Sequence, residues 1–142
     1  MKPTSSAQRG LVLIVDDRKN WRETLEELLQ ADGHRVQTAG DLADARALLS
    51  ASDFDVAILD IRLLDEARHD VQGLELLREI RTAGDRPRVL ILTGYAPPDT
   101  EARVKDLGAD VFLFKGPPQG LDIVRFRQII GELVQQAQDT QL

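Results

Sequence analysis

The sequence predicts an α/β fold, a doubly wound sheet of five parallel strands in the order 2-1-3-4-5. Five segments of strand length alternate along the chain with five segments whose apolar residues recur at helical spacing. Four of the strand segments are continuous apolar runs, as expected for parallel strands that are covered by helices on either side. A length of 142 residues suits one domain with one such sheet.

The first half of the chain predicts two strand–helix units. A strand at Leu11–Val15 is followed by a helix at Arg18–Ala31, whose inward residues are Trp21, Leu25, Leu28 and Leu29. Gly33 follows that helix, and glycine accepts the left-handed conformation common at helix ends. The second strand is His34–Ala39, and Asp41 is the expected N-cap of the second helix. Its inward residues are Leu42, Ala45, Leu48 and Leu49.

The second half repeats this pattern three times. Its predicted strands are Phe54–Leu59, Arg88–Thr93 and Asp110–Phe114. Its predicted helices run from about Leu74 to Gly84, from Asp99 to Leu107 and from Leu121 to Gln136. The Pro-Pro-Asp sequence that ends at Asp99 is typical of a helix start. We therefore expect a flexible lead-in at 1–10, one domain at 11–136 and a polar tail at 137–142.

The composition excludes several classes of protein. The formal net charge of −6 disfavours a nucleic-acid surface, which needs a basic face. No apolar stretch approaches the ~20 residues of a membrane helix, and residues 1–10 lack the apolar core of a secretory signal. The chain has no cysteine, which excludes disulfides and thiolate metal sites. We therefore expect a cytoplasmic protein that binds neither nucleic acid nor membrane.

Polar side chains stand where the predicted strands end. They are Asp16 and Asp17 after the first strand, Asp60 after the third, Thr93 at the end of the fourth and Lys115 after the fifth. Carboxyl ends of parallel strands meet at one edge of the sheet, and this strand order opens a crevice between strands 1 and 3. Three carboxylates, a hydroxyl and an ammonium at one place suit a divalent cation and a phosphoryl group.

These motifs, in this order, resemble the receiver domain of two-component response regulators. The resemblance covers about residues 10–136. It rests on Val15-Asp16-Asp17, Ala57-Ile58-Leu59-Asp60, Leu92-Thr93-Gly94 and the segment from Gly108 to Lys115. It implies the flavodoxin-like (βα)5 fold and a role in phosphorelay signalling.

The resemblance also implies roles for individual residues. Asp60 accepts a phosphoryl group from the phosphohistidine of a sensor histidine kinase or a histidine phosphotransferase. The implied ligands of Mg²⁺ are Asp16, Asp17, Asp60 and the backbone carbonyl of Arg62. Thr93 and Lys115 bind the phosphoryl oxygens. The phosphorylated domain acts on a downstream protein or domain through the surface of helix 4, strand 5 and helix 5, and a homodimer is also compatible with the sequence.

Four further positions carry expectations of their own. Phe112 matches the aromatic position whose rotamer, together with Thr93, reports the switch, although core packing explains an aromatic residue there equally well. Arg62 and Tyr95 match positions that flank the path of water to the acyl phosphate, and both are bulky, so we predict slow dephosphorylation. Trp21 is interpreted as a packing residue of the first helix.

The chain departs from the family in two places. The segment between Asp60 and Gly73 is longer than usual and contains no proline. After Lys115 the family typically has proline, often with a cis bond, whereas this chain has Gly116. A cis bond before a residue other than proline costs roughly 2.5–4 kcal/mol, so we expect a trans bond at this place.

Two other interpretations remain open at this stage. A pseudo-receiver would keep the fold and act by protein contact alone, without phosphorylation. An aspartyl-nucleophile phosphatase of the haloacid-dehalogenase type would resemble Asp-x-Asp at the first strand, where this chain has Asp16, Asp17 and Arg18. The leading interpretation is a self-phosphorylating switch, which is not an enzyme with a metabolic substrate.

Overall fold

The structure is a computed structural model that describes residues 9–60, 72–94, 98–116 and 120–140; of Asp60 it describes the backbone alone. Within these residues five strands alternate with five helices. The strands are β1 (Leu11–Asp16), β2 (Arg35–Ala39), β3 (Val56–Asp60), β4 (Arg88–Thr93) and β5 (Val111–Phe114). The helices are α1 (Lys19–Ala31), α2 (Leu42–Ala51), α3 (Gln72–Ala83), α4 (Thr100–Asp106) and α5 (Ile123–Thr140).

The strands form one parallel sheet in the order β2-β1-β3-β4-β5, as the sequence predicts. Except for the edge strand β2, each strand is largely apolar because both faces of the sheet are covered. On one face, α2, α3 and α4 pack against odd-numbered residues such as Leu13 and Ile91. On the other face, α1 and α5 pack against even-numbered residues such as Ile14 and Leu90. Alternate side chains of one strand therefore belong to two separate cores.

The helix ends agree with the sequence signals in most places. Asp41 caps α2, because its carboxylate accepts a 2.8 Å hydrogen bond from the backbone N–H of Asp44. Gly33 follows α1 with φ of 93° and Gly108 follows α4 with φ of 108°, the left-handed conformation expected of a glycine there. Asp99 is the N-cap residue of α4, but it has φ of 74° and its side chain makes no capping hydrogen bond.

The last helix is longer than predicted. It continues to Thr140, whereas the sequence predicts an end near Gln136. Ala137 is fully buried, and the side-chain amide of Gln138 donates a 2.7 Å hydrogen bond to the carbonyl of Arg9. These contacts stabilise the end of the helix, where the polar composition alone predicts fraying. In the described ranges no helix has the length and apolar character needed to span a membrane.

Candidate functional site

The crevice lies at the carboxyl edge of the sheet, between β1 and β3. Asp16 and Asp60 are register partners at the last positions of these two strands. The chain leaves β1 for α1 on one face of the sheet, and α3, the next helix after β3, packs on the opposite face. The helices that follow these two strands therefore lie on opposite faces of the sheet, the arrangement in which a crevice opens between the strand ends.

Asp16 is a buried carboxylate, and one of its oxygens has no hydrogen-bond partner among the described residues. Its side chain is 1% exposed, and Oδ1 accepts a 2.8 Å hydrogen bond from the backbone N–H of Arg18. Oδ2 is buried and has no hydrogen-bond partner in the described part of the chain. Leaving such a group unpaired is costly, and a buried carboxylate is normally paired or bound to a metal. The neighbouring Asp17 is exposed.

The side chain of Arg22 in α1 stabilises the backbone at Asp16. Its Nη1 donates a 2.7 Å hydrogen bond to the carbonyl of Asp16. The same guanidinium lies over Gly40, where an added Cβ would stand 2.9 Å from Nη1. Any larger residue at 40 would displace the guanidinium, so this glycine provides the room for Arg22. The carbonyl contact fixes the end of β1 and with it the direction of the Asp16 side chain.

On the other side of the crevice, Thr93 is the last residue of β4, and Lys115 directly follows the last residue of β5. Thr93 is 2% exposed, and its carbonyl accepts a 2.8 Å hydrogen bond from the backbone N–H of Lys115. The Lys115 side chain runs past Gly94, where an added Cβ would lie 3.7 Å from Cε and 3.8 Å from Cγ. Its ammonium lies over the Trp21 ring, 4.4 Å from the ring centroid. The lysine thus extends from β5 past the end of β4 to α1.

Gly116 explains one departure from the family pattern. A Cβ at this position would lie 2.8 Å from the carbonyl oxygen of Gly94 and would overlap the Phe114 ring. The phenyl ring can move, but the Gly94 carbonyl belongs to the backbone, so a larger residue would separate the two loops. Among the described residues the one cis peptide is Arg86–Pro87, so Lys115–Gly116 is trans, as predicted.

The structure describes only some of the remaining predicted site residues. Phe112 is half-buried and packs against the core beneath α3 and α4, which fits the packing interpretation and leaves its switch role a prediction. Arg62 and Tyr95, like the Asp60 side chain, lie outside the described residues. Among the described side chains no group of three histidine or acidic residues is close enough to hold a metal. The predicted ligand set, however, includes Asp60 and Arg62.

Comparison with known proteins identifies the fold and the family. Residues 12–124 match the family model of the response regulator receiver domain. The chain belongs to this family. It is a receiver domain of two-component signalling, a signalling role in agreement with the sequence prediction.

Three relatives show the range of the similarity. The alginate biosynthesis transcriptional regulatory protein AlgB of Pseudomonas aeruginosa is 33% identical over 112 residues, which are 79% of this chain and 24% of AlgB. The response regulator TrrA of Thermotoga maritima, solved in complex with Mg²⁺-BeF, has 27% identity and a TM-score of 0.70 over 87% of this chain and 97% of TrrA. The Vibrio cholerae chemotaxis protein CheY4 has 26% identity and a TM-score of 0.73 over 88% of this chain and 98% of CheY4.

The chain spans less than half the length of the curated relatives that it matches, for example 24% of AlgB and 43% of the response regulator MprA of Mycolicibacterium vanbaalenii.

Sequence reasoning missed two residues that organise this edge. Trp21 packs against the core of α1 and α5, as predicted, but its ring also contacts the Lys115 ammonium. Arg22, to which the sequence analysis assigns no role, binds the Asp16 carbonyl. Both lie in the first turn of α1, immediately after the acidic pair. Their position in the sequence could have identified both residues, because the first turn of a helix that follows a strand remains near the end of that strand.

Proposed function

We propose that this domain is a phosphorylation switch in which Asp60 accepts a phosphoryl group with the help of Mg²⁺. The supporting observation is the unsatisfied Oδ2 of buried Asp16, on the residue that is the register partner of Asp60. A carboxylate with no partner in the described chain suits a cation ligand at the end of the strand that carries the phosphoacceptor.

The residues present fit magnesium. Asp16, Asp17 and Asp60 with the backbone carbonyl of Arg62 would supply the hard oxygen ligands that Mg²⁺ prefers. When bound, Mg²⁺ neutralises negative charge on the phosphoryl oxygens. Without it, carboxylates ~4 Å apart would repel by about 4 kcal/mol at an effective dielectric of 20. That repulsion gives the cluster a physical reason to bind a cation.

The transfer uses few protein groups. A carboxylate oxygen of Asp60 attacks the phosphorus of a phosphohistidine, the O–P bond forms, and the P–N bond breaks with its electron pair leaving on the imidazole. The imidazole then takes a proton from water. The Thr93 hydroxyl and the Lys115 ammonium would bind the phosphoryl oxygens, the first as a neutral donor and the second as a point charge. The product is an acyl phosphate, which water can hydrolyse.

The switch itself would couple the phosphoryl group to the surface of α4, β5 and α5. Thr93 and Lys115 are joined by a backbone hydrogen bond, so a shift of one carries the other. Phe114, Ile123 and Val124 are exposed apolar residues at the end of β5 and the start of α5, suited to contact with a downstream protein or domain. A sensor histidine kinase or a histidine phosphotransferase would be the phosphoryl donor, and residues 11–136 would be the unit that carries this activity.

The experiment is incubation of the chain with acetyl phosphate and Mg²⁺, followed by intact mass measurement. The wild type should gain one phosphoryl group, and Asp60→Asn should gain none. Absence of any gain in the wild type would favour the pseudo-receiver and overturn the proposal. Continuous release of phosphate without a lasting mass increase would indicate a phosphatase. The bulky Arg62 and Tyr95 should make the mass increase long-lived, and loss within seconds would contradict that part of the proposal.

A further inference from the structure

We infer that Trp21 is a positioning residue that holds the Lys115 ammonium at the phosphoryl-binding edge before the phosphoryl group arrives. The inference rests on the proposed function, since it concerns how the lysine meets a phosphoryl group. Its first support is the contact itself. The Lys115 Nζ lies 4.4 Å from the centroid of the Trp21 ring, within the roughly 6 Å range of a cation–π interaction, for which tryptophan is the best partner.

The path of the lysine gives the contact its direction. The side chain starts after β5, passes Gly94 at the end of β4 and reaches α1, the helix that follows β1. In the sheet β3 lies between β4 and β1, and β3 is the strand that ends at Asp60. A lysine held between its own strand and α1 is therefore drawn toward the end of β3. An ammonium on a ring face can still donate hydrogen bonds away from the ring.

The indole group itself is the second support. Trp21 Nε1 is buried and has no hydrogen-bond partner in the described residues. A buried unpaired N–H lowers stability, and leucine or phenylalanine would pack against the same core without one. Packing therefore accounts for an apolar residue at 21 but not for an indole. The electron-rich indole face beneath an ammonium does account for it.

Preordering the lysine has a kinetic and thermodynamic consequence. A free lysine side chain loses much rotamer freedom when it binds an anion, and a lysine already held by Trp21 loses less. Loss of the ring should therefore weaken capture of a phosphoryl group and leave the carboxylates' affinity for Mg²⁺ unchanged. A purely structural role for Trp21 would weaken both together, because the same loops carry the metal ligands.

The test compares binding of Mg²⁺ alone with binding of beryllium fluoride in the presence of saturating Mg²⁺, by calorimetry. Trp21→Leu should bind beryllium fluoride about two- to thirtyfold more weakly than the wild type, the range of a cation–π contact, with unchanged affinity for Mg²⁺. Trp21→Phe keeps an aromatic face and should recover most of the loss. Leu28→Ala, in the same helix and against the same core, shows the effect of lost packing alone and should leave both affinities unchanged.

The outcomes separate the two claims. A wild type that binds no beryllium fluoride would overturn the proposed function and this inference with it. Wild-type binding with an unchanged Trp21→Leu, or equal losses in Trp21→Leu and Leu28→Ala, would overturn this inference alone. If Trp21→Leu does not fold, the emission of the chain's one tryptophan replaces it. Lys115→Met should shift that emission by removing the adjacent charge, and identical spectra would overturn the inference.

Discussion

Two buried aspartates, Asp16 and Asp55, stand at opposite edges of the same sheet and are treated in opposite ways. Asp55, immediately before β3, is 7% exposed and fully paired: Oδ2 accepts a 2.9 Å hydrogen bond from the Leu11 N–H, and Oδ1 forms an ion pair with Arg86. Asp16, at the end of β1, has one oxygen without a partner among the described residues.

The amino edge repeats its arrangement at Asp110, immediately before β5. One oxygen of Asp110 accepts a 2.8 Å hydrogen bond from the Val89 N–H, and its carboxylate also pairs with Arg81 at 3.1 Å and Arg88 at 3.2 Å. At this edge Asp55 and Asp110 each link neighbouring strands, and each has a cationic partner. The comparison shows that the aspartates of the amino edge stabilise the sheet through cationic partners, whereas the carboxyl edge holds a buried carboxylate oxygen with no such partner among the described residues.

The largest effect on stability should come from removing the ion pair of Asp55 at the amino edge. Asp55→Ala removes the buried one of the two carboxylates that pair with Arg86 and leaves the Leu11 N–H without its acceptor, so it should lower the free energy of unfolding by about 3 kcal/mol. Asp53→Asn is the matched control, because Asp53 pairs with the same Arg86 at 2.9 Å but its side chain is 78% exposed. It should cost no more than ~1 kcal/mol. Urea unfolding measures both, and equal losses would contradict the distinction between the two carboxylates.

The stability of the carboxyl edge should respond to Mg²⁺ instead. Magnesium at a hundredfold excess over its dissociation constant should raise the free energy of unfolding by about 2.7 kcal/mol. Asp16→Asn should remove that gain while leaving the metal-free stability unchanged or higher, since it replaces a buried unpaired charge with a neutral amide. Thermal melts with and without millimolar Mg²⁺ provide the measurement. A wild type with no shift would argue strongly against the metal site.

A smaller change should come from Gly116→Ala, which acts on the geometry of the carboxyl edge. The added Cβ would press on the Gly94 carbonyl and separate the two loops that join Lys115 to Thr93. Overpacking of a buried position costs about 1–3 kcal/mol, and we expect the low end at the buried Gly116 because the Phe114 ring can move. We therefore expect a modest fall in the melting temperature together with slower phosphorylation by acetyl phosphate. Gly131→Ala, in α5 with open space around it, is the control, and equal rates in the two variants would contradict the expectation.

The smallest effect concerns pH at the amino edge. His34 is buried, and its Nδ1 accepts a 3.1 Å hydrogen bond from the Gly10 N–H. Burial lowers the pKa of His34 below its ordinary value, although Asp32 and Asp55 act in the opposite direction. The unfolded chain then binds the proton more readily, so the free energy of unfolding should fall as the pH decreases through about 6.5.

Urea unfolding between pH 7.5 and 5.5 measures this slope, which His34→Asn should abolish. The Asp32 carboxylate does not interfere, because Arg127 lowers its pKa further below this range. A slope retained in His34→Asn would assign the pH dependence to another group.

The sequence predicted an element correctly wherever burial of that element, or its nearest neighbours in the chain, dictates the residue pattern. The run Val12–Val15 and its three counterparts in β3, β4 and β5 predict strands because a strand covered on both faces must be apolar along its length. Asp41 was predictable as a cap because a cap depends on the next three residues. The end of α5 was not, since the buried Ala137 and the contact of Gln138 with Arg9 come from distant parts of the chain.

The candidate site divides along the same line. By itself, the sequence determined the strands and the convergence of Asp16, Thr93 and Lys115 at one edge, because each of these residues ends or follows an apolar run and parallel strands end together. The strand order 2-1-3-4-5 is fixed by the tertiary structure. Only the tertiary structure decided that the Asp55 charge is paired while Oδ2 of Asp16 has no partner among the described residues, and that the Lys115 ammonium lies on Trp21. Those outcomes depend on side chains far apart in the chain, and no local pattern records which charge meets which partner.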